Sequence, residues 1–435
     1  MEIKWIILGI TVLMYVLIVI FPGKKSWVSV GAAILLLVLG IIPNRASGTE
    51  ALNWAALTGH INWTVLMIYV GSLVIAELFI YSRVPAVIAD SIIIRAPNVG
   101  IAMVAILIMT GLISAFVENV ATVLVMAPIA LALCAKLKLN PSLFMVGLAV
   151  IANLQGTATL VGDPPSMIFA DYAGYGFNDF FVYHGKLSIF FAVQAGMIAG
   201  ALFFYAFFAK SGKDKAEITR EKILTMIPSV LLILMIAGLA GASFIYGGIS
   251  LLSGIIVMVL GVAGLVWYKF VRRQDNREIA RLVKSLDWDT ALFLIGIFVV
   301  VGAISETGLL DDFTALLSRV VGDNVFLGFF LIVAVSTVIS GFVDNVPYII
   351  IMLPVARSMA AGLSLAPELY MFALLIGSCM GGNLTPFGAS ANVVAVGILK
   401  KEGVSMNFGQ WLKIGIPFTL LTTGAASLFV WLVWR

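Results

Sequence analysis

Seventeen residues from Trp5 to Phe21 pass without a charge, and uncharged runs of similar or greater length return along the whole chain, the longest from Ile223 to Tyr268. A chain of 435 residues that is 62% hydrophobic and 11% charged carries far more apolar surface than a water-soluble core can use. Runs of about 20 apolar residues match the thickness of a bilayer as α-helices. A membrane β-barrel needs short segments of alternating polarity, which are absent. The fold class is therefore an all-α polytopic membrane protein. Trp5–Phe21 lacks a basic flank and a small-residue cleavage site, and Lys24-Lys25 follow it, so it reads as a retained helix.

The second constraint is a repeat. Phe116-Val117-Glu118-Asn119-Val120 returns as Phe342-Val343-Asp344-Asn345-Val346, and the spacing of 226 residues holds for about fifty positions. Ser114 meets Ser340, Pro128 meets Pro354, and Gly156, Thr159 and Gly162 meet Gly382, Thr385 and Gly388. Each copy places an acid and an amide inside an apolar stretch, then a Gly/Thr/Pro-rich interruption.

The repeat divides the chain into residues 1–210, a charged linker 211–222, and residues 223–435. In the first part, helices are expected at 5–21, 27–42 and 63–81, with a polar loop carrying Asn44, Arg45 and Glu50 and a short interfacial segment at 84–94. Two arms at 98–117 and 120–135 follow, then an interrupted segment 141–170 and a helix 186–208. In the second part, helices fall at 223–241, 249–268 and 289–305, with a basic loop 269–288 and a solvated loop at Asp311-Asp312. Arms at 325–342 and 346–361, an interrupted segment 368–399 and a helix 411–433 complete it. Taken as re-entrant hairpins, about 98–135 and 325–361, the arms leave five crossings per repeat, about ten crossing helices in all. An odd number inverts the two repeats. With Lys24 and Lys25 in the cytoplasm, 20 of the 26 Lys and Arg fall inside, and both termini fall outside. Full crossings by the arms would give seven per repeat, also odd.

The breaks are where chemistry is expected. A carboxylate near the bilayer midplane costs roughly 2.5–3.5 kcal/mol on insertion scales, so Glu118 and Asp344 need a proton, an ion or water. Asn119 and Asn345 offer both donor and acceptor. The Gly/Thr/Pro breaks expose carbonyls, hydroxyls and helix ends. Paired broken helices in corresponding halves point to a transport site. The copies differ in one useful way: Asp163 stands opposite Ala389 and Ser166 opposite Asn392, so Asp163 is an extra acid for a proton or cation. No P-loop, zinc-ligand spacing or nucleophile elbow occurs, and neither His60 nor His184 sits in a ligand cluster, so neither an enzyme nor a self-contained ATP-driven pump is expected. Cys134 and Cys379 read as small buried hydrophobes. No cofactor, resident metal or nucleic-acid partner is expected.

FVENVATVLVMAP, GTATLVGDPPS, SGFVDNVPYIIIMLP and GGNLTPFGASANVVAVGI resemble motifs of the ion transporter superfamily. The nearest branch is similar to the arsenite/antimonite efflux permeases, the melanosomal P protein and NhaD-type sodium/proton antiporters; the divalent-anion/sodium symporters are more distant. The resemblance implies an inverted-repeat fold with two hairpins and two interrupted helices, and a mobile transport domain beside a scaffold, often as a homodimer. Carried onto this sequence, it implies hairpin tips at Glu118-Asn119, with Thr122 following, and at Asp344-Asn345. Gly156, Thr157, Thr159, Gly162, Asp163 and Ser166 would contribute from the first break. Gly382, Asn383, Thr385, Gly388, Ser390 and Asn392 would contribute from the second. Sodium, if it is the coupling ion, is expected near Asn119 and Asn345. The chain departs from the arsenite pattern at Glu118, usually Asp, at Ser166, usually Asn, and at Gln155, often Gly.

Two carboxylates at the site would repel a dicarboxylate. The expectation is thus a proton- or sodium-coupled secondary transporter in the cytoplasmic membrane, exporting an inorganic solute such as arsenite or antimonite, with a soluble ATPase as partner if it is of the arsenite type. The alternatives are a sodium/proton antiporter and a carboxylate or anion symporter.

Overall fold

The computed structural model describes residues 3–41, 54–209 and 221–435. The loop carrying Asn44, Arg45 and Glu50 and most of the linker lie outside the described residues. The first half contains α1 (Ile3–Ile20), α2 (Lys25–Ile41), α3 (Trp54–Gly59), α4 (Trp63–Tyr81), α5 (Val84–Arg95), α6 (Val99–Ser114), α7 (Asn119–Leu137), α8 (Ser142–Gly156), α9 (Pro164–Ala173) and α10 (Ile189–Phe208). The second contains α11 (Ile227–Tyr246), α12 (Leu251–Phe270), α13 (Asn276–Ser285), α14 (Trp288–Glu306), α15 (Leu309–Val321), α16 (Val325–Ser340), α17 (Asn345–Gly362), α18 (Pro367–Gly381), α19 (Ser390–Lys401) and α20 (Phe408–Trp434). Among the described residues the only strands are Val182–Tyr183 and Lys186–Leu187, an antiparallel pair. Among the described residues, seven helices are long and apolar enough to cross a membrane, which agrees with the all-α membrane class.

The 226-residue spacing governs local structure. Adding it to the bounds of α6 gives those of α16. The caps correspond too. Asn98 accepts from the Ile101 N–H at 2.9 Å, and Asn324 from that of Leu327 at 3.0 Å. Each satisfies one of the four orphan donors at a helix start, which no bilayer water could. Tertiary contacts then cross between halves. α4 packs along α12 while α14 packs along α2, and α9 lies on α17 while α19 lies on α7. Small residues set the approach: a Cβ on Gly71 of α4 would stand 2.8 Å from the Val257 carbonyl of α12. Lipid tails give helices no hydrophobic reason to associate, so close backbone packing of this kind does the work.

Two helices stand where loops were expected. α13 lies within the basic stretch 269–288, capped by Asp275, which accepts from the Glu278 N–H at 2.8 Å; it buries none of its residues. Asp311 and Asp312 lie in the first turn of α15 rather than in a solvated loop. Carboxylates favour that end of a helix, and Asp312 also pairs with Lys4. Both are short amphipathic helices without a long apolar run, which is why a search for crossing segments passes over them.

Within 141–170 the chain leaves the helix between Gly156 and Pro164, and within 368–399 between Gly381 and Ser390, apart from a single 3-10 turn at Gly382–Leu384. Pro164 and Pro165 open α9, where a missing N–H is tolerated, and cannot continue α8. Gly388 lies where the second break folds on itself; a Cβ there would sit 2.6 Å from the Gly382 carbonyl.

Candidate functional site

Both repeated acids are helix caps. Glu118 accepts from the Ala121 N–H at 2.9 Å at the start of α7, and Asp344 from the Val346 N–H at 3.1 Å at the start of α17. Each carboxylate thereby sits at a positive helix end. Behind each tip, the first arm is tied to the following break in the same way twice. The Thr159 hydroxyl donates to the Ala115 carbonyl and the Thr385 hydroxyl to that of Gly341. Ser114 donates to the Ala152 carbonyl and Ser340 to that of Ser378. Inside the breaks, the Ser166 hydroxyl approaches the Gly156 and Thr157 carbonyls at 3.5 and 3.4 Å, and the Asn392 amide donates to Gly382 and Thr385, both at 2.9 Å. Thr159→Val and Thr385→Val each leave a buried carbonyl unpaired. Each is expected to lower stability by about 1–3 kcal/mol, read as a lower Tm in detergent.

The halves then diverge. Asn119 is buried; its Oδ1 accepts from Ser114 at 2.8 Å and its amide reaches toward Asn153 Oδ1 at 3.5 Å. Gly156 is required beside it, since a Cβ there would overlap the Asn119 side chain. Asp163 starts α9 without using its carboxylate as a cap. It is buried, and Asn119, Glu118 and Asp344 all bear on it electrostatically. Asn345 is half-buried and makes no side-chain hydrogen bond among the described residues. Thr122 turns back to the Glu118 carbonyl at 3.0 Å and serves the first turn of α7. Ser390 is exposed, apart from the polar cluster. Glu118, Asn119, Asp163, Asp344 and the two breaks are thus brought together; Ser390 is not.

Residues that the repeat did not single out complete the site. Asn153 donates to the Cys379 carbonyl and to Asn383 Oδ1, both at 3.0 Å, and Asn383 donates to the Val150 carbonyl at 3.1 Å. The two interrupted helices are stitched together by these amides. Lys25, read from the sequence only as a loop lysine, pairs with Asp344 at 3.1 Å. Tyr69 donates to Asp287 at 3.1 Å, and Asp287 bears on Glu118. Asn153 is a polar residue in an apolar stretch, a visible signal, but its counterpart is Cys379, so the repeat hides it. Among the described residues, the buried Asn392 Oδ1 has no hydrogen-bond partner, and the buried Thr157 hydroxyl has only the Cys379 thiol beside it.

The sequence pattern of the family described as "Citrate transporter" matches residues 15–377 and 252–435. Two uncharacterized transporters of Mycobacterium tuberculosis are each 30% identical, one over 428 residues covering 96% of both chains and one over 442 residues covering 98% of both. The P protein of Homo sapiens is 24% identical over 486 residues, 92% of this chain and 56% of that one. Among solved structures, the YdaH transporter of Alcanivorax borkumensis superimposes with a TM-score of 0.61 at 16% identity, covering 94% of this chain and 97% of that chain. MtrF of Neisseria gonorrhoeae, from a class of antimetabolite efflux pumps, gives 0.57 at 14% identity, covering 93% and 95%. At that identity the likeness establishes a shared fold.

Proposed function

Since this chain belongs to the citrate transporter family, we propose that it is a secondary active transporter coupled to protons or sodium, built as two inverted repeats and exporting a small inorganic solute such as arsenite or antimonite. One observation carries the reading: Glu118 and Asp344, the caps of the two helix tips, both bear on the buried Asp163 that opens α9 after the first break, and Asn119 bears on it too. An acidic centre of this kind suits a coupling cation and a neutral hydroxide solute. It repels a bare polyanion. The Thr157 hydroxyl and the free Asn392 Oδ1 suit an ion held by hydroxyl, amide and carbonyl oxygen. Alternation would come from movement of the tips and breaks against the α4–α12 and α14–α2 pairs, in a homodimer within the cytoplasmic membrane.

The family match favours a second reading, a carboxylate symporter. In it the carboxylate enters only together with cations or protons that offset the acids. The test loads proteoliposomes with a pH-sensitive and a sodium-sensitive dye and adds arsenite, citrate or sodium in turn. A proton or sodium flux that requires arsenite supports the first reading. One that requires citrate replaces it with the second, and exchange with sodium alone replaces it with a sodium/proton antiporter.

A further inference from the structure

Lys25 opens α2 where the chain turns back from α1, and its ammonium stands 3.1 Å from Asp344 Oδ2. The Phe293 ring of α14 lies 5.1 Å from that ammonium. Both partners are mostly covered, with 13% of the lysine side chain and 21% of the aspartate exposed. Next to this pair, the Tyr15 hydroxyl of α1 donates to the Pro347 carbonyl in the first turn of α17 at 3.0 Å. Two polar contacts therefore join the α1–α2 unit to one helix tip. The remaining charged groups that bear on Lys25 are Asp287 and Asp289 at the start of α14, with Glu118 and Asp163 across the cluster. Ser26 holds Asp289. Lys25 thus pairs with Asp344 and also bears on Glu118 and Asp163.

A lysine whose task is only to mark the cytoplasmic side has no need of a covered carboxylate. This ammonium occupies the oxygen that a proton or sodium ion would need. We infer that Lys25 is a tethered counter-cation that holds Asp344 in this conformation and must leave before a coupling cation binds there, so that the Lys25–Asp344 contact is a latch between the α1–α2 unit and the α17 tip. The inference rests on the proposed coupling role of Asp344. It makes Lys25 a positioning residue that sets how readily the carboxylate is released to the coupling ion. An ammonium on a fixed backbone competes at constant effective concentration, so the competition is built into each transport cycle.

The experiment titrates sodium at fixed pH, and protons at fixed sodium, in proteoliposomes of wild type, Lys25→Gln and Lys25→Arg. Removing an opposite charge within about 4–6 Å is expected to lower the half-saturating concentration of the coupling cation about tenfold or more in Lys25→Gln. Lys25→Arg keeps the charge and should shift it less. An unchanged half-saturation in Lys25→Gln overturns the inference. So does loss of solute binding with cation affinity unchanged, which would make Lys25 a ligand for an anionic solute. Thermal unfolding of Lys25→Gln, Asp344→Asn and the double variant reads the contact without transport. Non-additive Tm losses support the latch and additive ones overturn it. If wild type carries no flux with any probe, the proposed function fails while this cycle still reports on the latch.

Discussion

Asp344→Asn reduces coupled flux in proteoliposomes to that of protein-free vesicles, while the variant still inserts and elutes as a folded protein. The two halves of this expectation come from different atoms. Asn caps a helix about as well as Asp, so the bond from the Val346 N–H survives and α17 keeps its start. What disappears is one negative charge facing Lys25 and Asp163. The structural cost is that of a partly exposed ion pair losing one partner, about 1–2 kcal/mol. Flux at the wild-type rate would remove Asp344 from the coupling step. Glu118→Gln is the weaker probe, since the amide caps less well and a loss would mix two causes. Glu118→Asp keeps charge and cap with one methylene less and should be the mildest change at that position.

The sequence made the crossing segments, the arms and the breaks legible because each has a local cause. Apolar length marks the helices, and Gly, Thr and Pro mark the breaks at 156–166 and 381–392. Repetition located the acids, for Glu118 and Asp344 keep one register and one neighbour, Asn119 or Asn345. It could not say that both carboxylates cap helices, because capping depends on where the chain turns. It gave Asn119 and Asn345 equal weight, yet only Asn119 enters the buried network. That asymmetry follows from Asn153, which stands next to one amide and has Cys379 in the corresponding place. Lys25 escaped for another reason. The positive-inside rule treats basic residues near helix ends as loop charges, and pairing with a residue 319 positions away is a tertiary fact.

Asn153→Leu is expected to be the most destabilising single change at the site. The Asn153 amide serves two acceptors on the other half of the chain, Cys379 O and Asn383 Oδ1, each at 3.0 Å, while its Oδ1 lies 3.5 Å from the Asn119 amide. Leucine fills similar space but leaves both acceptors without a donor in a place where Asn153 is 1% exposed. An unmade bond to a buried group costs about 1–3 kcal/mol, and two such groups give about 2–6 kcal/mol. No bilayer water can offset that loss. Thermal unfolding in detergent should show a larger Tm loss for Asn153→Leu than for Asp344→Asn, Thr159→Val or Thr385→Val. A Tm within a degree of wild type would mean that packing and the Asn383 hydrogen bond to the Val150 carbonyl suffice to hold the two interrupted helices together. Asn153→Asp separates the amide's two roles. The acid keeps the acceptor for Asn119 but gives up both donations and adds a fourth carboxylate beside Glu118, Asp163 and Asp344. Its stability loss should therefore shrink as the pH is lowered and the added acid takes up a proton, whereas that of Asn153→Leu should not change with pH.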